Sequence, residues 1–205
     1  MAVLLKQLYF FIRRCYNAKG GIEVEYLSET IKAAVWGDSL FASPIWFEWI
    51  HHNLSDKHCE ECLKLDMCWF AEGKLPNNPH HLHCHCKLKE KPYNEVAEAI
   101  AAYSKFNPYL FNVGNKYIHQ KQVLFEKWGY GVEDSKYLQS EIEKQGLLKY
   151  LSGEYSIGNL NSQGQRINIR VEIPNKRHGG KVSFVTGWMV HPNGKITLNT
   201  PYGGK

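Results

Sequence analysis

Between residues 165 and 173 apolar and polar side chains alternate without a break. Ile167, Ile169, Val171 and Ile173 fall on one face, and Arg166, Asn168, Arg170 and Glu172 on the other. That is the period of a strand with one buried face. The same pattern predicts strands over Glu154 to Leu160, Lys181 to Val190 and Lys195 to Thr200. Asn161-Ser162-Gln163-Gly164 and His191-Pro192-Asn193-Gly194 read as turns between them, the second with the Asn-Gly pair of a tight hairpin. Before these strands the period changes to that of helices. Lys116 to Trp128 is amphipathic and stops at Gly129. Asp134-Ser135 caps a second helix, with Leu138, Ile142 and Gln145 turned inward and a stop at Gly146.

The N-terminal half reads differently. Residues 2–16 predict a buried helix ending before Asn17-Ala18-Lys19-Gly20-Gly21, and residues 28–36 a second one, opened at Ser28 and closed at Gly37. Pro44 predicts a short helix through Trp46, Phe47, Trp49 and Ile50, whose aromatics belong to a core. Residues 51–91 have little periodicity. Pro92 then predicts a helix over Tyr93 to Tyr103, with Val96, Ala99, Ile100 and Tyr103 on one face. The pattern divides the chain into a helical module, 1–91, and a second module, 92–205. The fold class expected is α+β: N-terminal helices around a metal knuckle, then helices packed on a four-stranded antiparallel sheet.

Charge follows the same division. The 205 residues carry net +5. Residues 1–104 hold 11 Lys/Arg against 13 Asp/Glu, and residues 105–205 hold 14 against 7. A basic second half suits a polyanion, and a solvated lysine-rich surface has the same composition. Apolar residues at 43% provide for a real core and exclude a disordered chain. No stretch has the ~18–20 apolar residues of a membrane span, and the first twelve residues read as a buried helix rather than a signal peptide.

Five of the six cysteines and seven of the ten histidines lie in residues 51–91. Cys59-Glu60-Glu61-Cys62 is a C-x-x-C, and Cys84-His85-Cys86 a C-x-C. Two short pairs can place four thiolates at the corners of one tetrahedron, so Cys59, Cys62, Cys84 and Cys86 are the expected ligands of a structural zinc ion. Four thiolates leave no position for water, which argues against catalytic zinc. His81, His83 or His85 could replace one thiolate. Free or disulfide-paired cysteines are the alternative. Cys68, beside Trp69 and Phe70, and Cys15 read as buried hydrophobes.

The run from Cys59 to Cys86 resembles the C-terminal zinc-knuckle segment of tailed-phage head-morphogenesis (minor head) proteins. The likeness is carried by the C-x-x-C, by Leu75-Pro76-Asn77-Asn78-Pro79, and by His81-Leu82-His83-Cys84-His85-Cys86, with Trp46 and Trp49 upstream. It covers about 60 residues.

The polar sheet face, with Arg166, Asn168, Arg170 and Glu172 beside Lys195, Thr197 and Asn199, has groups that bind phosphate. An ordinary solvated face has the same look. Cleavage of RNA by its own 2′-hydroxyl needs a base, an acid and a cation near the non-bridging oxygens. His119, Lys121, Arg170, Glu172 and His178 are available for these roles. Residues 105–205 resemble the toxin-type nuclease domains of the barnase/EndoU/colicin/RelE group, and the versions fused behind phage minor head proteins and in bacterial polymorphic toxins. The matching stretches are Asn107-Pro108-Tyr109-Leu110, His119 to Phe125, Gly129-Tyr130, Val182 to Trp188 and Gly194 to Tyr202. The resemblance implies a metal-independent ribonuclease, with tRNA among the substrates. It makes His119 the acid/base candidate, Lys121 and Arg170 phosphate binders, and Thr186 and Thr200 hydroxyls at the sheet. It also implies a phage structural protein or an immunity protein as partner, and the bacterial cytoplasm or the phage particle as location.

Strict alternation puts Thr186 and Thr200 with the core set, and a bulge at Gly187 would flip that parity. Two other readings remain: a non-enzymatic protein docking on a phage head or tail, and a plain nucleic-acid-binding module. The basic half shows no base-stacking aromatic platform and no recognition-helix pattern.

Overall fold

A computed structural model describes residues 44–51, 60–77, 84–91, 97–111 and 120–204. All belong to the compact unit Pro44–Lys205. The helices expected over 2–16 and 28–36, and Cys15, lie outside the described residues. The expected α+β class holds, but the sheet count differs. Among the described residues there are two sheets, of three and five strands, rather than one of four.

The smaller sheet has the order β2-β1-β3, built from β1 (Trp46–Ile50), β2 (Trp69–Ala71) and β3 (Lys87–Lys91), all antiparallel. The segment expected as a helix after Pro44 is therefore its central strand. Aromatic and β-branched side chains favour extended backbone once neighbours satisfy both edges. Here Trp46 pairs with Ala71 on one side and Lys91 on the other. Trp46 and Trp49 are wholly buried, and Trp46 meets Tyr150 edge-on with centroids 5.0 Å apart.

The larger sheet has the order β4-β8-β7-β6-β5. Four of its strands form the expected meander: β5 (Ser156–Asn161), β6 (Gly164–Pro174), β7 (Lys181–His191) and β8 (Lys195–Gly204). The fifth, β4 (Glu98–Ile100), lies parallel to β8, with Ala99 opposite Ile196. This replaces the helix expected over Tyr93 to Tyr103, of which residues 92–96 lie outside the described residues. Of its expected apolar face, Ile100 and Tyr103 are exposed and Ala99 packs against the core from the strand. The chain past β4 is held by side chains instead. Ala101 N–H donates to Glu143 Oε1 (2.7 Å), and Gln139 Nε2 donates to Ala101 O (2.6 Å).

Two longer helices cover the apolar face of this sheet. In α2 (Gln120–Lys127) Phe125 is buried against Phe184 (a one-turn helix, α1, Glu60–Leu63, precedes it in the chain). After α2, Gly129 takes φ +87°, Gly129 N–H donates to Glu126 O and Tyr130 N–H to Phe125 O. That pair of bonds is a Schellman stop, for which a left-handed residue is required.

Helix α3 (Ser135–Leu151) buries Leu138, Ile142, Gly146 and Tyr150. Gly146 does not end it. The glycine sits mid-helix because a Cβ there would press on Trp188 Cζ2 and lie 2.7 Å from Cη2. Gln145 does not point into the core. It accepts from Glu172 N–H (2.9 Å) and donates to Glu172 O (2.6 Å), while Lys149 Nζ donates to Arg170 O (2.6 Å).

The core face of the sheet is as alternation requires. Ile167, Ile169, Val171, Ile173, Phe184 and Trp188 are fully buried. Asn193 and Gly194 both have positive φ at the β7–β8 hairpin, as a tight Asn-Gly turn needs. The two sheets share one hydrophobic cluster. Tyr150 Oη donates to Trp69 O and Ala71 N–H donates to Tyr155 Oη, both at 2.8 Å. Cys68 bridges Pro192, and Asn193 N–H donates to Met67 O (2.9 Å).

Gly146→Ala tests the α3 contact. Alanine gains about 1 kcal/mol in helix propensity, but overpacking a rigid core costs about 1–3 kcal/mol. We expect a net loss of stability on the order of 1 kcal/mol, read as a lower urea midpoint. An unchanged or higher midpoint would mean that the helix can back away from Trp188.

Candidate functional site

Among the described residues, two groups of chemically capable side chains lie at the margins of the core. The first is a thiol cluster beside the small sheet. After Ile50 the chain is latched to the loop that follows α1. Trp49 N–H donates to Cys68 O, Met67 N–H to Trp49 O, and His51 N–H to Asp66 Oδ1, all at 2.8–2.9 Å. Ile50 pairs with Lys87, so the start of β3 lies next to α1. This brings Cys62, Cys84 and Cys86 together with their sulfurs all within 4.8 Å of one another. Cys62 Sγ and Cys84 Sγ are 3.8 Å apart. Together they could bind a metal ion. Cys59, His81 and His83 lie outside the described residues. His85 is exposed and stands outside the cluster.

Cys68 is separate. It is fully buried, its thiol approaches Lys64 O at 3.6 Å, and burial, helped by the charge of Asp66, pushes its pKa up to about 12. Thiolate chemistry is closed to it at neutral pH.

The second group lies at the far end of the β7–β8 pair. There β8 leaves regular register. Trp188 pairs with Leu198, but Gly187 pairs with Thr200 and Val185 with Gly204. The extra residues in β8 turn Thr200 to the Gly187 face, away from the core. Thr200 Oγ1 donates to Tyr202 O (3.0 Å) and accepts from Lys121 Nζ (2.9 Å), which reaches it from the first turn of α2. Lys121 Nζ also lies 3.4 Å from Tyr109 Oη. A Cβ at Gly187 would sit 2.9 Å from Thr200 Cγ2 and 3.2 Å from Arg166 Nη2. The missing side chain leaves a gap bordered by the Thr200 methyl on one side and the Arg166 guanidinium on the other. An ammonium, a guanidinium and a hydroxyl at one place can hold an anionic oxygen.

Residues 92–204 match the family described as a domain of unknown function, DUF6883. The chain belongs to that family. No curated protein and no solved structure matches it. The cationic group falls within the DUF6883 domain, and the thiol cluster precedes it.

Within the DUF6883 domain the four described residues of the five expected at the site do not share one place. Lys121 and Thr200 touch. Arg170 is on the same face but four residues along β6 from Arg166, about 13 Å by strand rise, where it meets Ser183 Oγ at 3.4 Å. Thr186 is fully buried on the opposite face, donating to Ile169 O and accepting from Trp188 Nε1, both at 2.8 Å. It is a core hydroxyl with both roles filled, not a surface group. His119 lies outside the described residues.

Sequence reasoning missed Arg166 as a site residue, because parity treats it as equal to Arg170. The signal was Gly187, which faces Asn168 in the register and leaves room for a neighbouring long side chain. It also passed over His191. That imidazole is 2.7 Å from Thr197 Oγ1, and burial lowers its pKa, so it is neutral at pH 7.

The buried acids of this core set its alkaline limit. The folded state holds the Cys68 proton above its ordinary 9.0, and holds those of Tyr130, Tyr150 and Tyr155 above 10.0, chiefly through burial. A raised folded pKa gives stability that is intact below the unfolded value and lost above it. Stability should therefore fall from about pH 9 upward, with a slope approaching about 1.4 kcal/mol per pH unit for each group. Urea unfolding at pH 8–11 measures this, and Cys68→Ala should remove the earliest part of the decline. A flat profile to pH 11 would contradict it.

Proposed function

We propose that this protein is a phage- or toxin-associated, metal-independent ribonuclease whose DUF6883 domain is preceded by a structural zinc knuckle. The observation that carries the reading is the 2.9 Å contact of Lys121 Nζ with Thr200 Oγ1, with the Arg166 guanidinium bordering the same gap above Gly187. When a 2′-oxygen attacks the adjacent phosphorus, negative charge builds on the non-bridging oxygens. Two fixed cations at that point stabilise it. The 2′-O–P bond forms and the P–O5′ bond breaks. A base takes the 2′ proton and an acid returns one to the 5′ oxygen, leaving a 2′,3′-cyclic phosphate and a 5′-hydroxyl. His119, one residue before α2, is the candidate for proton transfer. Arg170, farther along the same face, would hold a neighbouring phosphate. The substrate class is RNA, with tRNA included by the resemblance to toxin nucleases. An immunity protein or a phage structural protein is the partner this reading calls for, in the bacterial cytoplasm or the phage particle.

Zinc is the ion proposed for the thiol cluster. Tetrahedral thiolates at about 2.3 Å from zinc stand about 3.8 Å from one another, and the Cys62–Cys84 separation is 3.8 Å. Cys59, the other half of the C-x-x-C, would be the fourth ligand and would close the site to water.

The alternative is a non-enzymatic protein docking on a phage head or tail. It is favoured by two ion pairs that neutralise other parts of the same face, Lys195–Glu98 (2.8 Å) and Lys181–Glu172 (3.6 Å).

Incubation with total RNA in EDTA separates the two readings. The ribonuclease should release fragments ending in 2′,3′-cyclic phosphate. Lys121→Ala and Arg166→Ala should each slow cleavage about 100-fold with little change in unfolding midpoint. Intact RNA after treatment with folded wild-type protein would reject the enzyme. Elemental analysis should find about one zinc per chain, lost together with several degrees of thermal stability in Cys62→Ser or Cys84→Ser. Zinc-free folded protein would reject the knuckle.

A further inference from the structure

The outward face of β6 carries Arg166, Asn168 and Arg170 at every second position. Asn168, the middle one, is half-buried, and its side-chain amide has no hydrogen-bond partner among the described residues. The Arg166 guanidinium, also half-buried, has no hydrogen bond or ion pair there either. The Arg170 side chain is exposed and meets Ser183 Oγ at 3.4 Å. Glu172 is next along the row, but its carboxylate is paired with Lys181 (3.6 Å). The neighbouring strands raise no tall side chain beside Asn168. Its register partners are Ser156 on β5, which is exposed, and Gly187 on β7, which has no side chain. A primary amide that is half removed from water has lost part of its hydration. Its unmet donor and acceptor therefore favour a ligand that supplies both.

We infer that Asn168 selects one base of a single-stranded RNA whose backbone runs along β6 with phosphates at Arg166 and Arg170, and that the base selected is adenine. The inference rests on the ribonuclease reading for RNA as the ligand, and adds to it a base-specific subsite. Arginine suits both flanking positions, because the guanidinium fork meets phosphate oxygens in pairs. Between two phosphates a strand without a complement can turn a base edge toward the protein, which a duplex cannot do without unpairing. The amide donates and accepts side by side. Adenine answers with N6–H and an adjacent ring nitrogen on both its Watson–Crick and its Hoogsteen edge, whereas uracil and cytosine offer such a pair on one edge only.

The test separates binding from cleavage. The probes are fluorescein-labelled 2′-O-methyl octauridylates, which lack the attacking hydroxyl. One is all uridine, and two others carry adenosine or cytidine at the centre. Fluorescence anisotropy with the full chain should show the adenosine probe bound about tenfold more tightly than the other two. Asn168→Ala should abolish that difference without moving the urea midpoint. Arg166→Ala should weaken all three probes alike and make the salt dependence shallower by about one. No binding of any probe, equal binding of all three, or a preference for adenosine that survives in Asn168→Ala would each overturn the inference. If the Asn168-dependent preference is seen but natural RNA stays intact, the subsite stands and the ribonuclease reading fails. Cleavage of natural RNA by a protein that shows no such preference removes the subsite alone.

Discussion

Trp188 of the five-stranded sheet lies directly against helix α3, and only a glycine at position 146 leaves room for its indole. That approach sets the position of α3, and much of the rest is attached to this helix. Gln139 and Glu143 hold the backbone beyond β4. Gln145 and Lys149 meet the backbone of β6. Tyr150, at the end of the same buried row, ties in the small sheet through Trp69 and Trp46. A helix displaced by even one ångström would put these hydrogen bonds out of range together.

The same sheet gives its two candidate threonines opposite fates. Thr186 keeps the regular β6–β7 register opposite Ile169, so its parity places it in the core, where it serves Trp188. Thr200 lies beyond the irregularity in β8, so its parity is reversed and it reaches Lys121. A local change of strand register therefore separates a packing residue from a candidate functional one.

Much of this was legible along the chain. The alternation of Ile167 to Ile173 identified the buried face, and the Asn-Gly pair the last hairpin, because both are local properties. The misreadings share a cause in contacts distant in sequence. Trp46 to Ile50 has no strong local preference until β2 and β3 flank it. Gly146 looks like a helix stop unless Trp188 is known to lie above it. The shift in β8 was considered at Gly187, but only the pairing with β7 reveals it. At the candidate site, Lys121 and Thr200 were named from their residue types, whereas Arg166 needed the space above Gly187. Three thiols of the C-x-x-C and C-x-C pairs do converge, as their spacing suggested.

Past Arg170, strand β6 has outrun β5, whose last partner in that direction is Asn168. Bare peptide groups along such a margin invite another polypeptide to add itself as a further strand. Gln145 forestalls this at Glu172 by offering a primary amide, which donates and accepts as a peptide unit would. The margin is thereby covered by side chains from the protein's own helix, Gln145 at Glu172 and Lys149 at Arg170.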